Sequence, residues 1–338
     1  MYRLKWIRYA AMAAMLVFVL GITFIPGTAA AKKYVIKLAH GAEPTEPTHK
    51  AALLMGEQIA KKTNGEVKVQ VYPSEQLGSE RDIIEATKVG AIQIAYSSPG
   101  SIGVFQPDVQ IFNGPFVWKD WEEAKRVMRG PFGQKIYAKL RQNHGILVLD
   151  ANWYWGWRHL TSRNTAVRSP EDMKGLKIRA PNIPIFMETI KAMGASPTPI
   201  DFSEVYTALQ QGVVDGQENP IPTIWAKKFF EVQKYVMMTG HMLQSNFVVI
   251  NEKFFLSLPG DFQKIVKEET LAAGEYATKL QQDEENSLVS NIEKAGTTII
   301  RDVDREAFRK ATEGVYGLFK DKWSPGLYQE LRKTIESN

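Results

Sequence analysis

Between Tyr34 and Ser98 the hydrophobic pattern switches repeatedly between a two-residue and a helical period, and this alternation limits the fold more than any single motif. "YVIKLA" (Tyr34–Ala39) reads as a strand. Thr48 offers an N-cap for a helix to about Thr63, which Asn64-Gly65 stops. "EVKVQVY" then sets Val67, Val69 and Val71 on one face at period two. In "SERDIIEATKVG", Ser79 and Asp82 have capping-box spacing and Gly90 is a stop. "AIQIAYSS" is a third strand. The order β-α-β-α-β predicts a parallel sheet covered by helices, the α/β class.

The alternation resumes downstream. "HGILVLDANWYWGWRHLTS" is strand-rich and "LKIRAP" is a further strand, followed by a helix from about Ile185 to Ala192. Asp201 or Ser203 can cap a helix that Gly212 ends, and "VVDG" reads as a short strand. From Asp261 to Lys294 the helical pattern is almost unbroken, with Phe262, Ile265, Val266, Tyr276, Leu280, Leu288 and Ile292 near helical spacing. Helices of globular proteins usually run ~8–20 residues, so this one is long enough to cross more than one domain. No linker or repeat divides the 338 residues. Two α/β lobes that exchange strands would account for that.

The first residues read as a leader. Arg3, Lys5 and Arg8 precede an apolar run from Ala10 to Ile25, and small residues follow at Ala29 and Ala31. This is the layout of a secretory signal peptide over residues 1–31, with cleavage near Ala31–Lys32; an uncleaved anchor is the rival reading. Removing the leader takes three of 42 basic residues and none of 37 acidic ones, leaving 39 − 37 = +2. That balance, with no basic run, gives no sign of nucleic-acid binding. The absence of cysteine excludes a disulfide, a lipidated cysteine, a Cys-ligated metal and a Cys nucleophile.

Catalytic signatures are missing: no G-x-S-x-G, H-E-x-x-H, Walker-type or G-x-G-x-x-G pattern occurs. His40, His49, His144, His159 and His241 lack metal-ligand spacing. Asp201, Glu204, Asp215 and Glu218 could pair for acid–base work, but the first two serve equally as helix caps. Three features suggest binding instead. Arg179 stands where a strand meets a proline-punctuated turn, and its fork suits a carboxylate. In "ANWYWGWRHL", strict alternation places Trp153, Trp155 and Trp157 on one face and Tyr154, Gly156 and Arg158 on the other. Those indoles form either a buried sheet face or a pocket wall. Gln217 and Asn219 lie in a Pro-terminated turn at a strand end, where ligands of open α/β sheets gather.

From "LKIRAPN" through "GASPTPIDFSEVYTALQQGVVDGQENPI" to "KKFFEVQKYVMMTGH", and in "YPSEQLGSERDIIEATKVGAIQIAY", the chain resembles the solute-binding subunits of tripartite ATP-independent periplasmic (TRAP) transporters, the DctP family. The resemblance runs from about Tyr34 to the C-terminus. It implies an α/β, two-lobe periplasmic binding protein (type II-like) with strand exchange at the hinge and a long helix spanning both lobes. Lobe I would hold residues 32–156 plus about 245–284, and lobe II residues 157–244 plus about 285–338. It further implies a periplasmic protein without catalysis, cofactor or metal, which closes on an organic acid and delivers it to the small and large membrane permease subunits. An exported enzyme on the same scaffold and a sensor subunit are the other classes to weigh. By the resemblance, Arg179 forms the paired salt bridge with the ligand carboxylate. Arg158, Asn219, Phe202 and Asn182 join it, with His40, Glu43, Tyr96 and Ser98 as contacts from the first lobe. Sialic-acid binders of this family carry an acidic residue near the end of the strand that here reads "AYSSPG", and small polar residues where this chain has tryptophans. The expectation is therefore a pocket with Trp155 in its wall, made more aromatic by Trp225, for an aromatic or indole-type monocarboxylate. Sugar acids rank second and C4-dicarboxylates third.

Overall fold

The computed structural model describes residues 33–337. The leader expected over residues 1–31 lies outside the described residues. No described helix is long and apolar enough to cross a membrane.

One mixed sheet organises the chain. Its strands are β1 (Tyr34–Ala39), β2 (Val67–Tyr72), β3 (Ile94–Ser97), β4 (Ile146–Ser162), β5 (Lys177–Ala180), β6 (Ser196–Pro199), β7 (Gly216–Pro220), β8 (Tyr235–Asn251) and β9 (Thr298–Ile300). The spatial order is β2-β1-β3-β8-β4-β7-β5-β6, with β9 paired to β8. β1 is parallel to β2 and β3, as the N-terminal alternation requires. β4 and β8, each of 17 residues, run antiparallel along their length. One end of β8 pairs with β3, whereas its other end pairs with β9. The far end of β4 pairs with β7. The same two strands thus serve both halves of the sheet, and the halves carry the strand exchange of the two-lobe architecture.

The long helix spans Gly260–Lys294. At 1.5 Å per residue its 35 residues reach roughly 50 Å. Phe262, Val266 and Ile292 are buried as expected, but the middle of the buried face differs. Tyr276 is exposed, and small or polar residues (Ala273, Gly274, Ala277, Thr278, Gln281) turn inward. The reason is close packing on β4: a Cβ on Gly274 would lie 2.7 Å from both Trp153 Nε1 and Asp150 Oδ2. The C-terminal residues, expected with lobe II, are tied to the segment 108–144. Asp108 accepts from Lys139 Nζ (2.8 Å) and from Ser324 Oγ (2.6 Å), and Lys135 pairs with Glu330 at 2.6 Å.

β4 holds the main departure from the expected pattern. Its pairing with β8 runs Tyr154–Ser245 and then Gly156–Gln244, so Trp155 is an extra, unpaired residue. Gly156 has φ +129°, a conformation open to glycine, and a Cβ there would lie 3.1 Å from the Pro220 Cβ. A β-bulge of this kind reverses the phase of everything beyond it. Trp153 and Trp155 pack in one core with Tyr96, whereas Trp157 packs with Tyr154 in another. The bulge also brings Arg158 to the side of the sheet that bears Trp155.

Candidate ligand-binding site

A cavity of about 150 Å³, open to solvent, lies where these elements meet. Of the residues expected at a site, Arg158, Arg179, Asn182, Phe202, Asn219, Trp155 and Ser98 line it. His40, Glu43 and Tyr96 do not, for identifiable reasons. Tyr96 is buried behind Trp155, stacked at 5.9 Å between ring centroids, with its hydroxyl 3.0 Å from Thr48 Oγ1. His40 is buried with Nε2 3.2 Å from His49 Nδ1. Glu43 is held in an ion pair with Lys227. Trp225 stacks on Phe230 at 4.8 Å, not among the lining residues, so it adds no aromatic surface to the cavity.

The two arginines have opposite surroundings. Arg158 is almost fully engaged by protein. Its Nε and Nη2 donate to the two carboxylate oxygens of Glu218, Nη2 at 2.8 Å. Nη2 also donates to the Glu218 carbonyl (2.6 Å) and to Asn219 Oδ1 (3.1 Å). Nη1 donates to Gln244 Oε1 (2.6 Å). His241 Nε2 lies 3.3 Å from the same Glu218 carboxylate. Burial alone would raise that carboxyl; Arg158 and the hydrogen bond from His241 bring it down to about 2. Arg158 and Glu218 are therefore a neutral pair, which contributes geometry and little net charge.

Arg179 has no such partner. It is 2% exposed, yet among the described residues it forms no ion pair, and its one hydrogen bond there runs from Nε to the Ile200 carbonyl (2.8 Å). Its guanidinium carbon lies 5.7 Å from the Phe202 ring centroid. Burial pulls its pKa down to about 10; the Glu218 charge partly offsets this, whereas the neighbouring Arg158 charge lowers it further. Fixing Nε on the Ile200 carbonyl, just after β6, leaves the two terminal nitrogens of the fork for an anion. A buried cation left unpaired is costly, and an anionic ligand removes that cost.

The opposite wall presents acceptors. Ser79 and Asp82 form the expected capping box, which starts the helix Glu80–Lys88 and brings Glu80 into the wall. Ser98 Oγ donates to Glu80 (2.6 Å), and Ser101 Oγ donates to the same carboxylate. Ser98 Oγ also lies 3.2 Å from Ser101 Oγ and accepts from the Ser101 N–H (3.2 Å), so the hydroxyl hydrogens are held within this cluster and a ligand meets its remaining lone pairs. Glu75 lines the cavity nearer Arg179, while Arg81, exposed at the rim, has no ion pair among the described residues. The wall's hydrogen-bonding character was missed in sequence because "SEQLGSE" and "YSSPG" meet only through tertiary folding. The capping-box spacing was the one available signal. Gln217 and Asn219 also differ from expectation: they lie within strand β7 and not in a turn, and the strand begins only at Gly216, the last residue of "VVDG". Asn219 Nδ2 donates to Gln217 Oε1 (2.6 Å), which fixes the amide beside Arg158.

A family model for bacterial extracellular solute-binding proteins, family 7 (DctP), matches residues 38–322. The chain belongs to this family. It is 35% identical over 296 residues to the sialic acid-binding periplasmic protein SiaP of Vibrio cholerae, covering 88% of this chain and 91% of that one. It is 34% identical over 312 residues to the C4-dicarboxylate-binding periplasmic protein DctP of Rhodobacter capsulatus, covering 91% and 92%. The structure of a TRAP periplasmic solute-binding protein from Ochrobacterium anthropi with bound L-fuconate superposes with a TM-score of 0.85 at 36% identity, covering 90% of this chain and 99% of that one. This is a two-lobe TRAP solute-binding protein for organic acids, a class of periplasmic transport proteins. The relatives bind chemically different acids, so the ligand has to be argued from this chain's own cavity.

Proposed function

We propose that the protein captures a polyhydroxylated monocarboxylate, a sugar acid, and hands it unchanged to a membrane permease with small and large subunits. The observation that carries this reading is the contrast between the two sides of the cavity. One side holds the buried guanidinium of Arg179, which has no ion-pair partner among the described residues, with Glu75 near it; the other offers acceptors on Ser98 and Ser101. A ligand that satisfies both has one carboxylate and a body rich in hydroxyl hydrogens. Arg158 and Asn219 are assigned to orienting that carboxylate, Phe202 and Trp155 to flanking the body, and Asn182 to the rim.

An indole or phenyl acid has less support. Trp155 alone of the three clustered tryptophans borders the cavity, and an apolar ring would offer no hydrogen to the acceptors beside it. A C4-dicarboxylate keeps one specific observation in its favour, the unpaired Arg81 at the rim.

The test is a thermal-shift screen of the chain without residues 1–31 against D-gluconate, L-galactonate, L-gulonate and L-fuconate, with succinate, indole-3-acetate and the neutral alditols beside them. A ligand at 100 times its dissociation constant adds about 2.7 kcal/mol. The expected result is a shift with at least one aldonate, none with its alditol, and recovery of the acid chemically unchanged. A shift confined to indole-3-acetate or to succinate overturns the reading.

A further inference from the structure

We infer that Glu75 selects a hydrogen donor on the carbon next to the ligand's carboxylate, which makes the site specific for 2-hydroxy acids. The inference rests on the sugar-acid reading above and goes further, to one position on the ligand.

Glu75 lies at the Arg179 end of the cavity. Its Oε2 accepts from the backbone N–H of Ser203 (3.0 Å), next in sequence to Phe202, whose ring lies beside the Arg179 guanidinium. A Cβ on Gly41 would lie 3.5 Å from Glu75 Cγ, 3.9 Å from its Oε1 and 3.8 Å from Phe202 Cδ1. Glycine there keeps the space between these groups open. Oε1 has no hydrogen-bond partner among the described residues, so one full carboxylate oxygen remains for a ligand.

The backbone is arranged around this side chain. Ser74 and Glu75 both have left-handed φ, +54° and +59°, a region that favours glycine. The turn is fixed from both sides: Ser74 N donates to Ala42 O (3.0 Å), Glu75 N to His40 O (3.2 Å), and Ser74 Oγ to Glu43 Oε2 (2.9 Å). Glycine would relax position 75, and the chain carries glutamate instead. Backbone strain of this kind marks a side chain held for a purpose.

The selectivity follows from what a carboxylate can do. Oε1 accepts and cannot donate. A 2-hydroxy acid anchored on Arg179 offers it a hydrogen. An acid without that hydroxyl buries Oε1 unsatisfied when it binds, and a site built to hydrogen-bond a hydroxyl rejects the analogue that lacks it. A second carboxylate at that carbon is repelled outright.

The experiment titrates the chain without residues 1–31, by calorimetry, with each of the four aldonates named above and with its 2-deoxy counterpart. The wild type is expected to prefer the hydroxylated acid by about 10- to 100-fold. In Glu75→Ala that preference collapses, because binding of the aldonate weakens while binding of the 2-deoxy acid stays within about threefold, the behaviour of a direct pairwise contact. Glu75→Gly serves as the folding control: it loses the same preference while its ligand-free melting temperature equals or exceeds that of the wild type. If the 2-deoxy acids bind the wild type as tightly, the role of Glu75 is refuted and the sugar-acid reading stands. Equal weakening of both acids in the variants also refutes it, and would assign Glu75 to the contact with Ser203 alone. If no aldonate binds the wild type, the sugar-acid reading fails and takes this inference with it.

Discussion

Replacing each cavity arginine by methionine separates charge held for a ligand from charge already spent within the protein. Methionine keeps most of the side-chain volume and removes the cation. Arg158→Met leaves Glu218 buried at 1% exposure, with His241 as its remaining close partner. Breaking a buried pair in this way costs about 3–5 kcal/mol. Arg179→Met strands no carboxylate. It forfeits one hydrogen bond to Ile200, about 1 kcal/mol, and a contact with Phe202 of similar size, but it also removes the desolvation cost of a buried, unpaired cation, several kcal/mol. The ligand-free Arg179→Met protein is therefore expected to be as stable as the wild type or up to about 2 kcal/mol more stable. Ligand affinity runs the other way. Losing a buried bidentate partner costs about 2–5 kcal/mol, or roughly 30- to 5,000-fold in dissociation constant. Urea denaturation of the ligand-free proteins reads the first quantity and calorimetric titration with the best aldonate the second. The reasoning is refuted if Arg179→Met destabilises the ligand-free protein as much as Arg158→Met, or if it weakens binding less than about tenfold.

Other perturbations test other parts of the account. Burial raises the Glu46 carboxyl from 4.5 to about 7, opposed chiefly by the hydrogen bond from the Glu43 backbone. The unfolded chain then releases this proton first, so the Glu46 contribution is complete below pH 4.5 and lost as pH rises to about 7. Glu46→Gln should therefore match the wild type at pH 4.5 and exceed it by up to about 3 kcal/mol above pH 7, read from urea midpoints across that window. Trp153→Ala should destabilise the fold by about 3–5 kcal/mol with a dissociation constant changed less than about threefold, since Trp153 is wholly core. Trp155→Ala should instead weaken aldonate binding by tenfold or more, about 1.4 kcal/mol, because this tryptophan borders the cavity. Gly156→Ala, forced to φ +129° against Pro220, should lose about 1–3 kcal/mol of stability in the same denaturation assay.

Local periodicity made much of the fold legible. β1 and the Ser79–Asp82 capping box were readable because strand alternation and cap chemistry are short-range. Strict alternation failed at Trp155, where a bulge inserts a residue that no two-residue period can register. Gly156 was the only local sign of it. The long helix was legible in extent, and in facing at its ends through Phe262, Val266 and Ile292, but not in its middle. Its buried stripe is set by how closely β4 approaches, which favours Ala273, Gly274 and Ala277 over Tyr276. The cavity arginines stood out as residues, but their different roles depend on Glu218, 60 positions from Arg158 in sequence. Whether an arginine is neutralised is a property of tertiary contacts. The same limit hid the acceptor wall, since Glu80 meets Ser98 and Ser101 only in the folded chain.

The most direct test of the central claim is a crystal structure of the chain without residues 1–31, grown with the aldonate that gives the largest thermal shift. The account predicts that both carboxylate oxygens lie within hydrogen-bonding distance of the Arg179 terminal nitrogens, with Nε still on the Ile200 carbonyl, the Arg158–Glu218 pair intact and the ligand's hydroxyls on Glu75, Ser98 and Ser101. A carboxylate bound elsewhere in the cavity, with the Arg179 fork left empty, would contradict it.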